Sequence, residues 1–144
     1  MARLIDFVRT GELGVVRFGL TKDEVRELLG EPEGVGPATK GWWIWMYGSL
    51  EVSFLDGVAT MIAVSLWDAP VTFPSPLAVE LGPFTPGARL ADVRDALDEA
   101  GIASTLDEGR TFEEQAVLVA GGWVEITFGE GRVDEVIALQ PGVT

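Results

Sequence analysis

With neither cysteine nor histidine in the chain, carboxylates are the only side chains abundant enough to support acid–base or cation chemistry. Thiolate catalysis, disulfides, zinc–sulfur sites and imidazole bases are thereby removed. Asp23-Glu24 and Glu113-Glu114 are adjacent pairs of the kind a hydrolase could divide between acid and base. Adjacent residues on a helix diverge, however, and N-terminal capping already accounts for Asp23 and Glu24. Asp92, Asp95, Asp98 and Glu99 follow helical spacing and could gather a hard cation weakly. A solvated helix face explains them without one. The Gly-Gly and Gly-Glu-Gly stretches at 121–122 and 129–131 precede no helix carrying Lys-Ser/Thr, so they read as hairpin turns and not as phosphate loops. No catalytic residue, metal site or cofactor is predicted, and the chain reads as a non-enzyme.

The residues that could bind a partner lie in one stretch, Trp42 to Phe54. Gly48-Ser49 inside it has the signature of a type II′ turn, which sets Tyr47 opposite Leu50. Alternation then puts Trp43, Trp45 and Tyr47 on one face with Leu50, Val52 and Phe54, and that face is the expected core. The other face carries Glu51 and Ser53, as a wet face should. It also carries Trp42, Ile44 and Met46, a surplus of apolar groups that a solvated face does not need. Later in the chain Val124, Ile126 and Phe128 are expected inward, leaving Trp123, Glu125 and Thr127 outward, accompanied across the turn by Leu118 and Ala120. The proposed partner-binding set is Trp42, Ile44, Met46, Glu51, Leu118, Trp123 and Glu125, aromatic and apolar anchors among acids. Trp42 and Trp123 are the residues that a terminal segment or a second subunit would otherwise cover.

Around this stretch the composition is that of a globular domain, with 47% hydrophobic and 23% charged residues. Ten basic residues against 23 acidic ones give a formal charge of −13 and a pI near 4.2. That field repels nucleic acid and anionic lipid, and it would attract a basic protein. Solubility alone also explains it. No stretch of 18 apolar residues exists, and the N-terminal run is too short and too charged for a signal segment, so a cytoplasmic protein is expected.

In chain order, residues 3 to 9 read as a short helix stopped by Gly11, and residues 15 to 18 as a short extended segment. A second helix starts at Thr21, where Thr21 and Glu24 form a capping box, Leu20 staples onto Val25, and Gly30 and Pro32 end it. Residues 31 to 41 read as loop. After the hairpin, Asp56-Gly57 signals a type I′ turn into a strand at 58–66, whose facing depends on whether that turn is bulged. A Pro-rich connection, 68–76, leads to a strand at 77–81, a helix from Arg89 to Ala100, and strands within 111–120, 124–128 and 133–139; the tail from Gln140 reads as frayed. Blocks 19–29, 50–57 and 62–64 align in order with 87–97, 124–131 and 137–139. The expected fold is therefore α+β: two tandem helix-plus-three-strand units, repeat 1 at about 15–67 and repeat 2 at about 77–139, forming an antiparallel sheet with helices on one face of a single domain.

The pattern Gly-Leu-Thr-x-x-Glu-Val-x-x-Leu-Leu-Gly-x-Pro, followed by an aromatic hairpin and Phe-x-Asp-Gly, resembles the fold shared by β-lactamase inhibitory protein and the small lipoprotein of the outer-membrane barrel-assembly machine. Gly19 to Gly57 carries the motif well and Gly87 to Gly131 loosely. The resemblance implies a concave sheet offered to a protein, and similar units occur among bacterial immunity proteins that neutralise toxins. The chain departs from both namesakes in lacking cysteine. The reading is an immunity or inhibitor-type module binding a protein partner, a basic toxin in its most concrete form. Homodimerisation through the same face and a carboxylate hydrolase are the alternatives.

Overall fold

The Trp-rich hairpin forms with the pairing its alternation dictates, Tyr47 opposite Leu50, Trp45 opposite Val52 and Trp43 opposite Phe54. Its turn places Gly48 at φ +60°, as a type II′ turn requires. A side chain at Gly48 would also collide with Thr72, because the segment after residue 70 lies against this turn. Ser49 N–H donates to Thr72 O at 2.8 Å and Thr72 N–H to Ser49 Oγ at 3.0 Å. The described part of the Pro-rich connection is thus held to the hairpin; Asp68 and Ala69 lie outside the described residues.

The computed structural model describes residues 1–37, 40–67 and 70–143. Its elements are β1 (Ala2–Arg3), α1 (Leu4–Thr10), α2 (Lys22–Leu29), β2 (Gly34–Pro37), β3 (Trp42–Tyr47), β4 (Leu50–Leu55), β5 (Val58–Ser65), β6 (Val79–Glu80), α3 (Leu90–Glu99), β7 (Ser104–Leu106), β8 (Ala116–Ala120), β9 (Val124–Gly129) and β10 (Arg132–Leu139). Eight strands form one antiparallel sheet in the order β2-β3-β4-β5-β10-β9-β8-β7, while β1 and β6 pair separately in parallel. The expected two tandem helix-plus-three-strand units are corrected by this order: the chain makes one continuous eight-stranded sheet with three helices. The α+β composition stands. The three-strand count fails because β2 falls within the expected loop 31–41 and β7 within a stretch where no element is expected. Gly34–Pro37, rich in glycine and ending in proline, has a composition tolerated only at a sheet edge, and the edge is where it lies. Residues 15 to 18 form no strand; a turn with a bridge between Leu13 and Val16 replaces it.

The core draws Leu4, Phe7 and Val8 from α1, Val25 and Leu29 from α2, Val93 and Leu97 from α3, and one parity of residues from each long strand. The helices therefore cover one face of the sheet. The α2 helix starts with the capping box read from the sequence, Thr21 Oγ1 accepting from Glu24 N–H at 3.2 Å and Glu24 Oε1 from Thr21 N–H at 3.0 Å. Its far end is fixed by Tyr47, whose hydroxyl donates to Gly30 O at 2.9 Å and whose pKa burial pushes up to about 12. Lys22 and Arg26, one turn apart, lay their cations 4.8 Å and 5.0 Å from the ring centroids of Trp43 and Trp45. Trp43, expected in the core, is 41% exposed: it lies near the sheet edge, opposite Pro37 of the short β2, with Lys22 over its ring.

Two β-bulges set which side the central strands present. In β5, Ser53 pairs with Met61 but Phe54 with Ala59, leaving Thr60 as the extra residue. Asp56 and Gly57 both have positive φ, so the tight I′ turn forms, and the bulge then reverses the parity beyond it. Ala59, Ile62 and Val64 point into the core. In β10, Asp134 is extra between Val133 opposite Phe128 and Glu135 opposite Thr127. The backbone around each bulge also ties down the segment leading into a helix, with Gly19 N–H bonded to Ala59 O at 2.8 Å and Val133 N–H to Ala88 O at 2.8 Å.

One register differs from expectation and reverses a whole strand. Ala120 pairs with Val124, not Trp123, so the connection contains three residues and β8 turns Ala116, Leu118 and Ala120 inward. Leu118 is 0% exposed and does not belong to any partner-facing surface. Leu118→Ala is accordingly expected to destabilise the fold by about 2–5 kcal/mol, and Val119→Ala by less than about 1 kcal/mol, both measured by urea unfolding. Comparable losses from the two variants would mean that β8 faces the other way.

Candidate functional site

The face opposite the helices holds the other parity of every strand, and the registers assign its rows. One row runs Met46, Glu51, Ala63, Ile137, Glu125, Val119 across β3 to β8. Beside it on one side lie Ile44, Ser53, Met61 and Leu139, and on the other Ser65, Glu135, Thr127 and Val117. Trp42 stands at the end of β3 on the same face. Met46 is 40% exposed, and Trp42, Ile44, Met61, Ile137 and Leu139 are half-buried. This is an apolar surface unlike the alternating polar face that an exposed antiparallel sheet usually shows.

Of the residues expected here, Trp42, Ile44, Met46, Glu51 and Glu125 lie on this face. Leu118 belongs to the core. Trp123 is held at the border: the space a side chain would need at Gly11 is filled by its indole, and its ring lies 6.0 Å from that of Phe18. It anchors the turn against the segment after α1, while its other edge borders a groove of about 340 Å³ on the open face. Met61, Glu125, Ile137, Leu139 and residues 140–143 line the rest of that groove. The tail is not simply frayed; Gln140 N–H donates to Thr60 O at 2.9 Å and Val143 N–H to Gln140 O at 3.2 Å.

Three glutamates project among these apolar groups, in two different states. Glu125 is compensated, its two oxygens accepting from Arg110 at 3.1 and 2.8 Å while Asp107 accepts from the same guanidinium at 2.7 Å. Glu51 and Glu135 have no ion-pair or hydrogen-bond partner among the described residues. Burial raises the pKa of Glu51, and burial, then Glu51, then Asp134 raise that of Glu135. Beside them, Ser53 Oγ and Thr127 Oγ1 are buried and likewise unpartnered. Sequence reading missed Glu135, Met61, Ile137 and Leu139, because each bulge hides the alternation that would have assigned their side.

The other carboxylate clusters do not converge. Asp23 is bonded to Arg26 at 3.3 Å and Glu24 closes the cap. Asp92, Asp95, Asp98 and Glu99 are exposed along α3, and Glu113-Glu114 sit in an exposed turn. Among the described residues no group of three or more His, Cys, Asp or Glu side chains is placed to hold a metal ion, and no helix is long and apolar enough to cross a membrane. Comparison with known protein families, curated proteins and solved structures gives no match.

Because both carboxyls hold a proton more tightly in the folded state, their contribution to stability is full below the ordinary carboxylate value of 4.5 and is lost as pH rises through the raised values. The paired substitutions Glu51→Gln and Glu135→Gln are therefore expected to raise Tm at pH 7 by roughly 2 °C at this half-open site. The gain should disappear near pH 4, and the exposed control Glu27→Gln should show neither effect. Calorimetry across pH 4–8 measures it, and a gain independent of pH would contradict the assignment.

Proposed function

We propose that this chain is a non-enzymatic cytoplasmic binding protein of the inhibitor or immunity type, which takes a basic protein partner on the open face of its sheet. The observation that carries the reading is the uncompensated pair Glu51 and Glu135 set within an apolar surface that the chain's own helices leave open. Burying Trp42, Ile44, Met46 and Met61 against a partner supplies affinity, and a cationic partner supplies what the two carboxylates lack. The net charge of −13 adds long-range steering towards such a partner. The resemblance of Gly19–Gly57 to β-lactamase inhibitory protein and its relatives supports the same mode, a sheet face presented to a protein. A second copy of the chain suits the face less well, since it would bring more acid against acid.

Affinity capture from cells that make the chain, followed by binding of the purified captured protein, tests this. The expected partner is basic and binds one to one. Trp42→Ala or Met46→Ala should weaken it by about tenfold or more, and raising the salt concentration should slow association. Helix-side Glu27→Gln should leave it unchanged. Variants on the open face without effect, or light scattering that finds a dimer whose dissociation depends on Met46, would replace this reading.

A further inference from the structure

We infer that the chain carries a second, smaller site, a cleft that binds a quaternary ammonium group against the exposed ring of Trp67. The inference is independent of what docks on the sheet. Leu66 N–H donates to Asp134 O at 2.8 Å, and one residue earlier in β10 Val133 N–H donates to Ala88 O, also at 2.8 Å. The segment before α3 thus takes over the ladder of β10 at the point where the chain turns away from β5. A cleft of about 470 Å³ opens at this divergence, with Trp67, Pro86, Glu130, Arg132, Val133 and Asp134 among its walls. Its volume lies in the range of small-molecule sites.

Leu66 is fully buried, whereas Trp67 beside it is 70% exposed, so the indole contributes little to the core and borders the cleft instead. On the helix side Trp43 and Trp45 each hold a cation of the chain, Lys22 at 4.8 Å and Arg26 at 5.0 Å from their ring centroids. Among the described residues no lysine or arginine lies over the ring of Trp67. The cleft walls carry two carboxylates against one guanidinium, a balance that turns anions away. Glu130 is bonded to Arg132 at 3.4 Å, and Arg89, opposite Arg132 on the neighbouring bridge, places its Nη1 in the space a side chain would need at Gly131. Asp134, half-buried as the extra residue of its bulge, has no ion pair or side-chain hydrogen bond among the described residues. An ammonium with N–H donors needs an acceptor for each, and this cleft supplies one free carboxylate beside apolar groups. A quaternary ammonium has no donor to satisfy. Its charge spreads over methyl groups that pack on the indole, Pro86 and Val133, and Asp134 balances it.

The test is an NMR titration of the isotopically labelled chain with choline, N-acetyl-trimethyllysine amide, its unmethylated counterpart and the neutral choline isostere 3,3-dimethylbutanol. Choline or the trimethyllysine derivative should give saturable shifts at the Trp67 indole N–H and at the amides of Gly87, Glu130 and Asp134. The unmethylated lysine derivative and the neutral isostere should each bind at least about threefold more weakly. Trp67→Ala should weaken binding about three- to tenfold and Asp134→Asn about two- to fivefold, with both variants still folded by their spectra. Arg132→Gln should tighten it about twofold by removing the competing cation. The tighter of the two quaternary ligands identifies the source, a free amine or a methylated protein side chain. No saturable shift, equal binding of the neutral isostere or of unmethylated lysine, or binding unchanged in Trp67→Ala would overturn the inference.

Discussion

The pairing of β5 with β10 is the contact on which the rest of this architecture depends. Met61 to Ser65 run antiparallel to Glu135 to Leu139, and this one ladder joins the four strands before it to the four after it. Without it two hydrophobic strands would become exposed edges, a recognised liability. The same two strands carry the bulges at Thr60 and Asp134, and the parity beyond each bulge decides what the centre of the open face presents. With that parity, Ile62, Val64, Val136 and Ala138 enter the core, while Ala63, Ser65, Glu135 and Ile137 face out. A one-residue change at the β10 bulge would send Glu135 inward and Val136 outward, and one at the β5 bulge would send Ala63 inward and Val64 outward.

The two faces also divide the few cations the chain has. Lys22 and Arg26 stand over Trp43 and Trp45 on the helix side, where the aromatic faces and the aliphatic stems both favour them. Arg3 and Arg9 sit beside Asp6, and Arg132 beside Glu130. On the open face, among the described residues, only Arg110 is placed against acid, and it meets Glu125 and Asp107 near one side of the sheet. The middle of that face therefore keeps its negative charge in an apolar setting. Such a setting strengthens an attraction to an incoming cation more than the solvated acids of α3 can.

Local signals made much of this legible from residues alone. The Gly48-Ser49 turn assigned both faces of β3 and β4, and the Thr21–Glu24 capping box located α2. Alternation from that turn puts Trp42, Ile44, Met46 and Glu51 on one face, and the β3–β4 register does the same. What failed was parity carried across a connection whose length the residues leave ambiguous. Gly121-Gly122 looks like a two-residue loop, but Trp123 joins it because its indole packs on Gly11 and Phe18, residues more than a hundred positions earlier. That long-range contact set the register of β8 and moved Leu118 into the core. Bulges posed the same problem in β5 and β10, since nothing local distinguishes Thr60 or Asp134 as an extra residue. The edge strands β2 and β7 escaped notice because an edge tolerates glycine, proline and short length.

Retaining Glu51 and Glu135 opposes the stability of the isolated chain, since both are held partly out of water and Glu135 also lies beside the like charge of Glu51 and Asp134. Ser53 and Thr127 add hydroxyls without bonding partners to the same region. Folding alone would favour glutamine and alanine at these positions, and the core beneath them needs neither carboxylate nor hydroxyl. Self-association would bury Trp42 and Met46 equally well, yet a two-fold axis through this face would set one acidic pair against another and leave the hydroxyls without a charged donor. On the proposed reading, a cationic group brought to the centre of the face would relieve the two carboxylates. On that reading the polar groups at the centre of the face would discriminate between partners, while the surrounding apolar side chains would supply contact area to whichever partner is admitted.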